Sequence, residues 1–120
     1  METCRRGLFP AAGHVAVISR PDGRGFIDDL LAAHGLRRRL QASTPHFLVA
    51  PYLVAASDLI AVVPAGLATR FRATLRLAVR KVPLRMPRFR MRLLWFHDRA
   101  DDPAHEWLRS EITGCFPDAG

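Results

Sequence analysis

The stretch from Ser43 to Pro64, STPHFLVAPYLVAASDLIAVVP, constrains this chain more than any other. It reads as a loop, a short buried helix, a turn and a buried strand. Thr44 can accept a backbone N–H as a cap, and Pro45 suits a first helical position, where no N–H is needed. Phe47, Leu48, Tyr52, Leu53 and Ala56 then recur at helical spacing, until Ser57 and Asp58 break the pattern. Leu59 to Val63 is wholly apolar and partly β-branched, which suits a strand covered on both faces. Pro64 ends it and can open the next helix. A helix that feeds a buried strand belongs to an α/β sandwich, in which ligands bind at the carboxyl ends of strands.

The flanking sequence extends the same alternation. Residues 1–13 show no periodicity and read as an irregular lead-in. His14 to Ser19 (HVAVIS) has strand length and no obvious partner, and Pro21 to Gly25 make a loop. Phe26 to His34 reads as an amphipathic helix with Asp28 and Asp29 in its first turn, where the helix dipole favours them. Gly35 stands where a left-handed residue closes a helix. Leu36 to Ala42 is polar and suits an exposed edge strand. After Pro64, a helix to Arg72 would turn Leu67, Ala68 and Phe71 inward. Leu75 to Val82 and Phe89 to Trp95 alternate apolar and basic residues, as half-exposed strands do, with a proline-bounded connector between them. Asp101 or Asp102 caps a last helix, with Pro103 in its first turn, an apolar stripe of Trp107, Leu108, Ile112 and Phe116, and Gly114 as its stop. The predicted order is β-α-β-α-β-α-β-β-α.

Composition bounds what such a chain can do. Its 120 residues make one domain at most. No apolar run approaches the roughly 20 residues that span a bilayer, and no signal-peptide core follows Arg5 and Arg6, so a cytoplasmic protein without membrane contact is expected. Cys4 and Cys115 make no disulfide framework, and the five histidines are scattered, so no metal, cofactor or catalytic residue is expected. The net charge of +7 comes almost wholly from arginine, with Lys81 the one lysine. Arginine codon bias accounts for part of that excess. Nine of the eighteen bases nevertheless fall between Arg70 and Arg92, without an acid among them. A solvated strand face is the plain reading of that run; a basic module for nucleic acid or an acidic partner is the other.

Two segments resemble a known family: HVAVISRPDGRGFIDDLLAAHGLRRRLQASTPHFLVAPYLVAASDLIAVVPAGLA and RLLWFHDRADDPAHEWLRSEI. Together they are similar to the carboxyl-terminal half of the effector-binding domain of LysR-type transcriptional regulators. The closing pattern of Trp95, His97, Asp102, Pro103, His105, Trp107, Leu108 and Arg109 is the most specific part, and the likeness covers about residues 14–113. The resemblance implies an α/β fold like the second lobe of a periplasmic binding protein, a three-layer sandwich, over about residues 14–88. A returning strand and C-terminal helix over about 89–116 would complete the first lobe, and 117–120 would form a tail. It also implies a homo-oligomer in the intact family. DNA would be bound only through a helix-turn-helix domain, which is absent from these residues along with the linker helix and the first-lobe amino half.

By position in that family, Ser43, Thr44, Pro45, His46 and Phe47 would line an interlobe cleft, with Val63 and Pro64 opposite. Free N–H groups of a helix starting near Pro45, together with the Thr44 hydroxyl, would favour an anionic group, and Phe47 would add an apolar wall. The expected partner is a small organic acid or aromatic effector whose binding changes how paired subunits present their DNA-binding heads. Against this, Thr44 also reads as an ordinary cap and Phe47 as core, and the whole chain as a truncated remnant without autonomous activity.

Overall fold

The computed structural model describes residues 2–88 and 90–116. Its sheet is built around β1 (Gly13–Val17), which pairs in parallel with β2 (Arg39–Thr44) on one side and β3 (Ile60–Ala61) on the other. The strand that lacked an obvious partner in the sequence is therefore the central one, and Val15 and Ala16 are fully buried. The run HVAV suits that place because no polar face has to reach water. Gly13 lets the neighbours close in: a Cβ there would stand 2.7 Å from both Gln41 Oε1 and Leu59 Cδ2. Gln41 is the extra residue where the β1–β2 register shifts between His14 and Val15.

The lead-in carries one helical turn, α1 (Leu8–Ala11), where the sequence shows no periodicity. Phe9 is buried against His14, with the rings edge to face at 5.0 Å, and the Phe9 carbonyl lies 2.7 Å from His14 Nε2. Helix α2 (Phe26–Ala33) forms as predicted, with Leu31 fully buried. Its end is a Schellman turn. Gly35, at φ 67°, donates to Ala32 O, and Leu36 N–H donates to Leu31 O at 2.9 Å. The β1–α2–β2 and β2–α3–β3 connections, through α3 (Ala50–Ala55), run in opposite directions across the sheet. Right-handed crossovers then put α2 and α3 on opposite faces, the three-layer arrangement of the expected fold.

The segment Ser43–Pro64 folds differently from the expectation. The strand β2 starts later than Leu36 and runs to Thr44, so Thr44 ends a strand and does not cap a helix. The helix starts at Ala50, not near Pro45. Residues 45–49 turn instead, held by the His46 N–H donating to the Thr44 hydroxyl (3.2 Å) and by Val49 N–H donating to His46 O (3.2 Å). Pro51, not Pro45, occupies the first turn of α3. Nor is the helix buried: Ala50 and Pro51 are, whereas Tyr52 and Leu53 are 56% and 36% exposed. The strand expected over Leu59–Val63 is a two-residue edge, half-buried rather than covered on both faces.

Helix α4 (Ala65–Thr74) follows Pro64 as expected, with Leu67, Ala68 and Phe71 half-buried. Leu75 to Val82 keeps its alternation in burial, with Leu75, Leu77 and Val79 half-buried and Arg76, Ala78 and Arg80 exposed, but it forms no sheet strand. Its one bridge is to the lead-in, where Lys81 N–H donates to Glu2 O and Cys4 N–H to Lys81 O. Phe71, Leu77, Val79 and Val82 face Val54 and Ile60 across an apolar cavity of about 150 Å³.

The chain divides into two compact units, Met1–Met86 and Pro87–Gly120. In the second unit the strand predicted over 89–95 does not form among the described residues; Phe89 itself lies outside them. An alternating segment becomes a strand only beside a neighbour that takes its hydrogen bonds. The last helix, α5 (Pro103–Gly114), is as predicted: the Asp102 carboxylate accepts from Ala104 N–H (3.0 Å) and His105 N–H (3.3 Å). Its stripe is open, with Trp107 and Phe116 65% and 61% exposed.

Candidate functional site

Three parallel strands place their carboxyl ends on one edge of the sheet. There β1 ends at Val17, and Ile18 N–H donates to Thr44 O at 2.9 Å, so the ends of β1 and β2 are tied. The segment Ser43–Phe47 leaves the end of β2, and Val62, Val63 and Pro64 leave the end of β3. Because β1 lies between them, the two segments stand about two strand spacings apart, roughly 10 Å. The structure thus brings all seven residues singled out in the sequence to one edge. Ser43, Pro45, His46 and Phe47 are exposed, Val63 and Pro64 half-buried, and Thr44 buried.

The chemistry of that edge differs from the expectation in one respect. With no helix starting at Pro45, the array of free N–H groups predicted there is replaced by a turn, and the His46 N–H is already bonded to Thr44. The edge presents side-chain chemistry instead: the Ser43 hydroxyl, the His46 imidazole and the rings of Pro45 and Phe47, with the Thr44 hydroxyl buried and bonded to the His46 N–H. Arg20, three residues past the end of β1, was not singled out in the sequence. Its guanidinium is held by Asp29 at 2.8 Å and Asp22 at 2.7 Å.

A second feature missed in the sequence is a half-buried ion pair. The Arg38 side chain is 2% exposed and grips Asp28 with two bonds, Nε to Oδ1 at 2.7 Å and Nη2 to Oδ2 at 3.0 Å. Gly25 N–H also donates to Asp28 Oδ2, and a Cβ at Gly25 would come within 2.6 Å of that oxygen. The Arg38 hydrogen bonds hold the Asp28 carboxyl below its usual range, against the opposing effect of burial. Burial pushes the His14 imidazole pKa down, and His14 Nδ1 is buried without a hydrogen-bond partner. Asp28 and Arg38 are ten residues apart, and no local sequence signal marks the contact. Among the described residues no group of three or more His, Cys, Asp or Glu gathers as a metal site, and no helix is long and apolar enough to cross a membrane.

In an α/β fold with a parallel sheet, the carboxyl edge of the strands is where ligand sites are commonly built. The chain belongs to the LysR substrate binding domain family, whose model matches residues 12–114. It is 41% identical over 114 residues to the HTH-type transcriptional regulator SyrM of Rhizobium meliloti (strain 1021), covering 93% of this chain and 35% of that protein. Over 111 residues it is 32% identical to the HTH-type transcriptional activator NagR of a Ralstonia species, covering 92% of this chain and 37% of that protein. The chain therefore spans about a third of the length of the curated relatives it matches. Among solved structures, the regulatory domain of MexT, a transcriptional activator in Pseudomonas aeruginosa, aligns with a TM-score of 0.69 at 29% identity, over 95% of this chain and 57% of that one. A probable transcriptional regulator from the same organism, PA0477, aligns with a TM-score of 0.74 at 25% identity, over 94% of this chain and 37% of that one. The fold is thus the periplasmic-binding-protein-like fold of these regulatory domains.

This membership explains the closing motif in physical terms. Arg109 donates to the Arg99 carbonyl (3.2 Å) and the Ala100 carbonyl (2.8 Å), and its guanidinium lies 4.6 Å from the centre of the Trp95 ring. Trp95, Asp102 and Arg109 therefore fasten the turn at His97–Arg99 to α5. The most specific part of the resemblance thus includes contacts that hold its own segment together.

Proposed function

We propose that this chain is the effector-sensing part of a LysR-type transcriptional regulator, and that its sheet edge forms one wall of the effector site. Residues 14–88 are the second lobe, and 89–116 return to a first lobe. The observation that carries this reading is the convergence of Ser43–Phe47 and Val63–Pro64 at the carboxyl ends of parallel strands in a chain of this family. The effector is a small organic acid or aromatic. Phe47 and Pro45 offer apolar surface, Ser43 offers a hydroxyl donor, Thr44 shapes the turn beneath them, and His46 offers a ring that can donate to a carboxylate. Closure of a first lobe over this wall would bias how subunits of an oligomer present their DNA-binding heads.

The test is a hybrid domain in which the first-lobe half of SyrM completes this chain, titrated calorimetrically against aromatic and aliphatic carboxylates. Saturable binding that weakens about tenfold or more in Phe47→Ala and Ser43→Ala is expected, as for loss of an interaction of about 1.4 kcal/mol. Binding unchanged by both substitutions would place the ligand elsewhere.

A further inference from the structure

The bases of this chain fall into two populations. Outside the run from Arg70 to Arg92, several arginines are neutralised: Arg20 and Arg24 reach Asp29, Arg38 reaches Asp28 and Arg99 reaches Asp102. Within it lie nine of the eighteen bases, and no acid occurs from Leu59 to His97. Six of the nine, from Arg70 to Arg85, belong to the first unit. Arg80 reaches Glu2 at 3.1 Å; Arg70, Arg72, Arg76, Lys81 and Arg85 are exposed and have no carboxylate partner among the described residues. Codon bias would scatter arginines; it would not remove the acids around them. So many like charges on one short stretch repel each other, and among the described residues only the Arg80–Glu2 pair offsets that cost.

The stretch is also held in place. Leu77 and Val79 are set into the wall of the apolar cavity, the Lys81 backbone is bonded to Glu2 and Cys4, and Arg76 and Arg80 alternate outward.

We infer that Arg70–Arg85 is a sequence-independent contact surface for the phosphate backbone of duplex DNA. The inference rests on the transcription-regulator reading only for the identity of the polyanion: in a protein whose relatives carry helix-turn-helix heads, DNA is the anion held at high local concentration. Such a surface would add affinity beside the heads without adding sequence information.

The experiment measures binding of a fluorescent 30-base-pair duplex of arbitrary sequence to the 120-residue chain by anisotropy, over a salt series. The triple variant Arg72→Gln, Arg76→Gln, Arg85→Gln is compared with a control of equal charge loss, Arg5→Gln, Arg6→Gln, Arg37→Gln. Removing one phosphate-binding arginine should make the slope of log K against log salt shallower by about 0.9, so the first triple should flatten it by about 2.7, with little change in the control. The single variant Arg85→Gln, in the extended connector, should flatten it by about 0.9 on its own without touching a helix. Equal weakening by both triples, absence of salt-dependent binding by the parent chain, or equally tight binding of polyglutamate would each overturn the inference. None of these readouts involves the effector edge, so failure here and failure of effector binding are distinguishable.

Discussion

His14, Asp28 and Arg38 sit close enough to influence one another's charge, and two of them set how stability depends on pH. Burial lowers the His14 pKa below its ordinary 6.5, so the unfolded chain takes up that proton first as pH falls. The stability it contributes is complete above about 6.5 and is lost as pH drops from there towards the folded value. Arg38 lowers the Asp28 pKa below its ordinary 3.8, so its contribution holds above that value and is lost on further acidification; Asp102, lowered mainly by its bonds from the α5 amides, acts in the same acid window. Urea midpoints should therefore be level near pH 7, begin to fall as pH drops through the ordinary histidine value of 6.5, and fall again below the ordinary aspartate value of 3.8. His14→Gln should flatten the first fall and leave the second. A midpoint that rises on acidification from pH 7 to 5 would contradict this account. The Asp28–Arg38 pair could not be read from the sequence, because a contact across ten residues depends on how α2 packs beside the approach to β2, and neither residue has a local signal for it.

At the scale of elements, what the sequence made legible follows from where the deciding forces lie. Helices α2, α4 and α5 have their signals within a few residues: Gly35 in the left-handed conformation, Pro64 before α4, the Asp102 cap. Each forms where expected. The start of α3 has two prolines to choose from, Pro45 and Pro51, and the choice is made non-locally. Thr44 is claimed by the β2–β1 ladder, so the helix waits for Pro51. Likewise Phe89–Trp95 carries a strand's pattern, but the described residues offer it no neighbouring strand. One helix end sets up a direct test. Arg76 closes α4 at φ 53°, with Leu77 N–H donating to Arg72 O at 3.0 Å and Arg76 N–H to Ala73 O, the same closure that Gly35 makes without a side-chain penalty. Arg76→Gly should therefore stabilise the chain by about 1 kcal/mol, seen as a higher melting temperature. If the surface inferred above is right, the same variant should bind DNA less well. A lower melting temperature would mean that the arginine side chain holds the turn in a way the backbone geometry does not reveal.

At the scale of the whole molecule, the candidate site was legible in position and less so in chemistry. The seven residues Ser43–Phe47, Val63 and Pro64 share the carboxyl edge of one parallel sheet. The anion-binding helix start expected among them is absent, because that feature hangs on where α3 begins. The account therefore rests on side chains and on the sheet edge, and the most direct measurement reads that edge in this chain alone. In a ¹⁵N–¹H NMR titration of the 120-residue chain with benzoate and with succinate, the amides of Ser43, Thr44, His46, Phe47 and Val63 should shift together and saturate, one wall of a cleft giving weak binding. Shifts confined to the arginine stretch from Arg70 to Arg92, or no saturable shift at the carboxyl ends of β2 and β3, would contradict the claim that this edge is the effector wall.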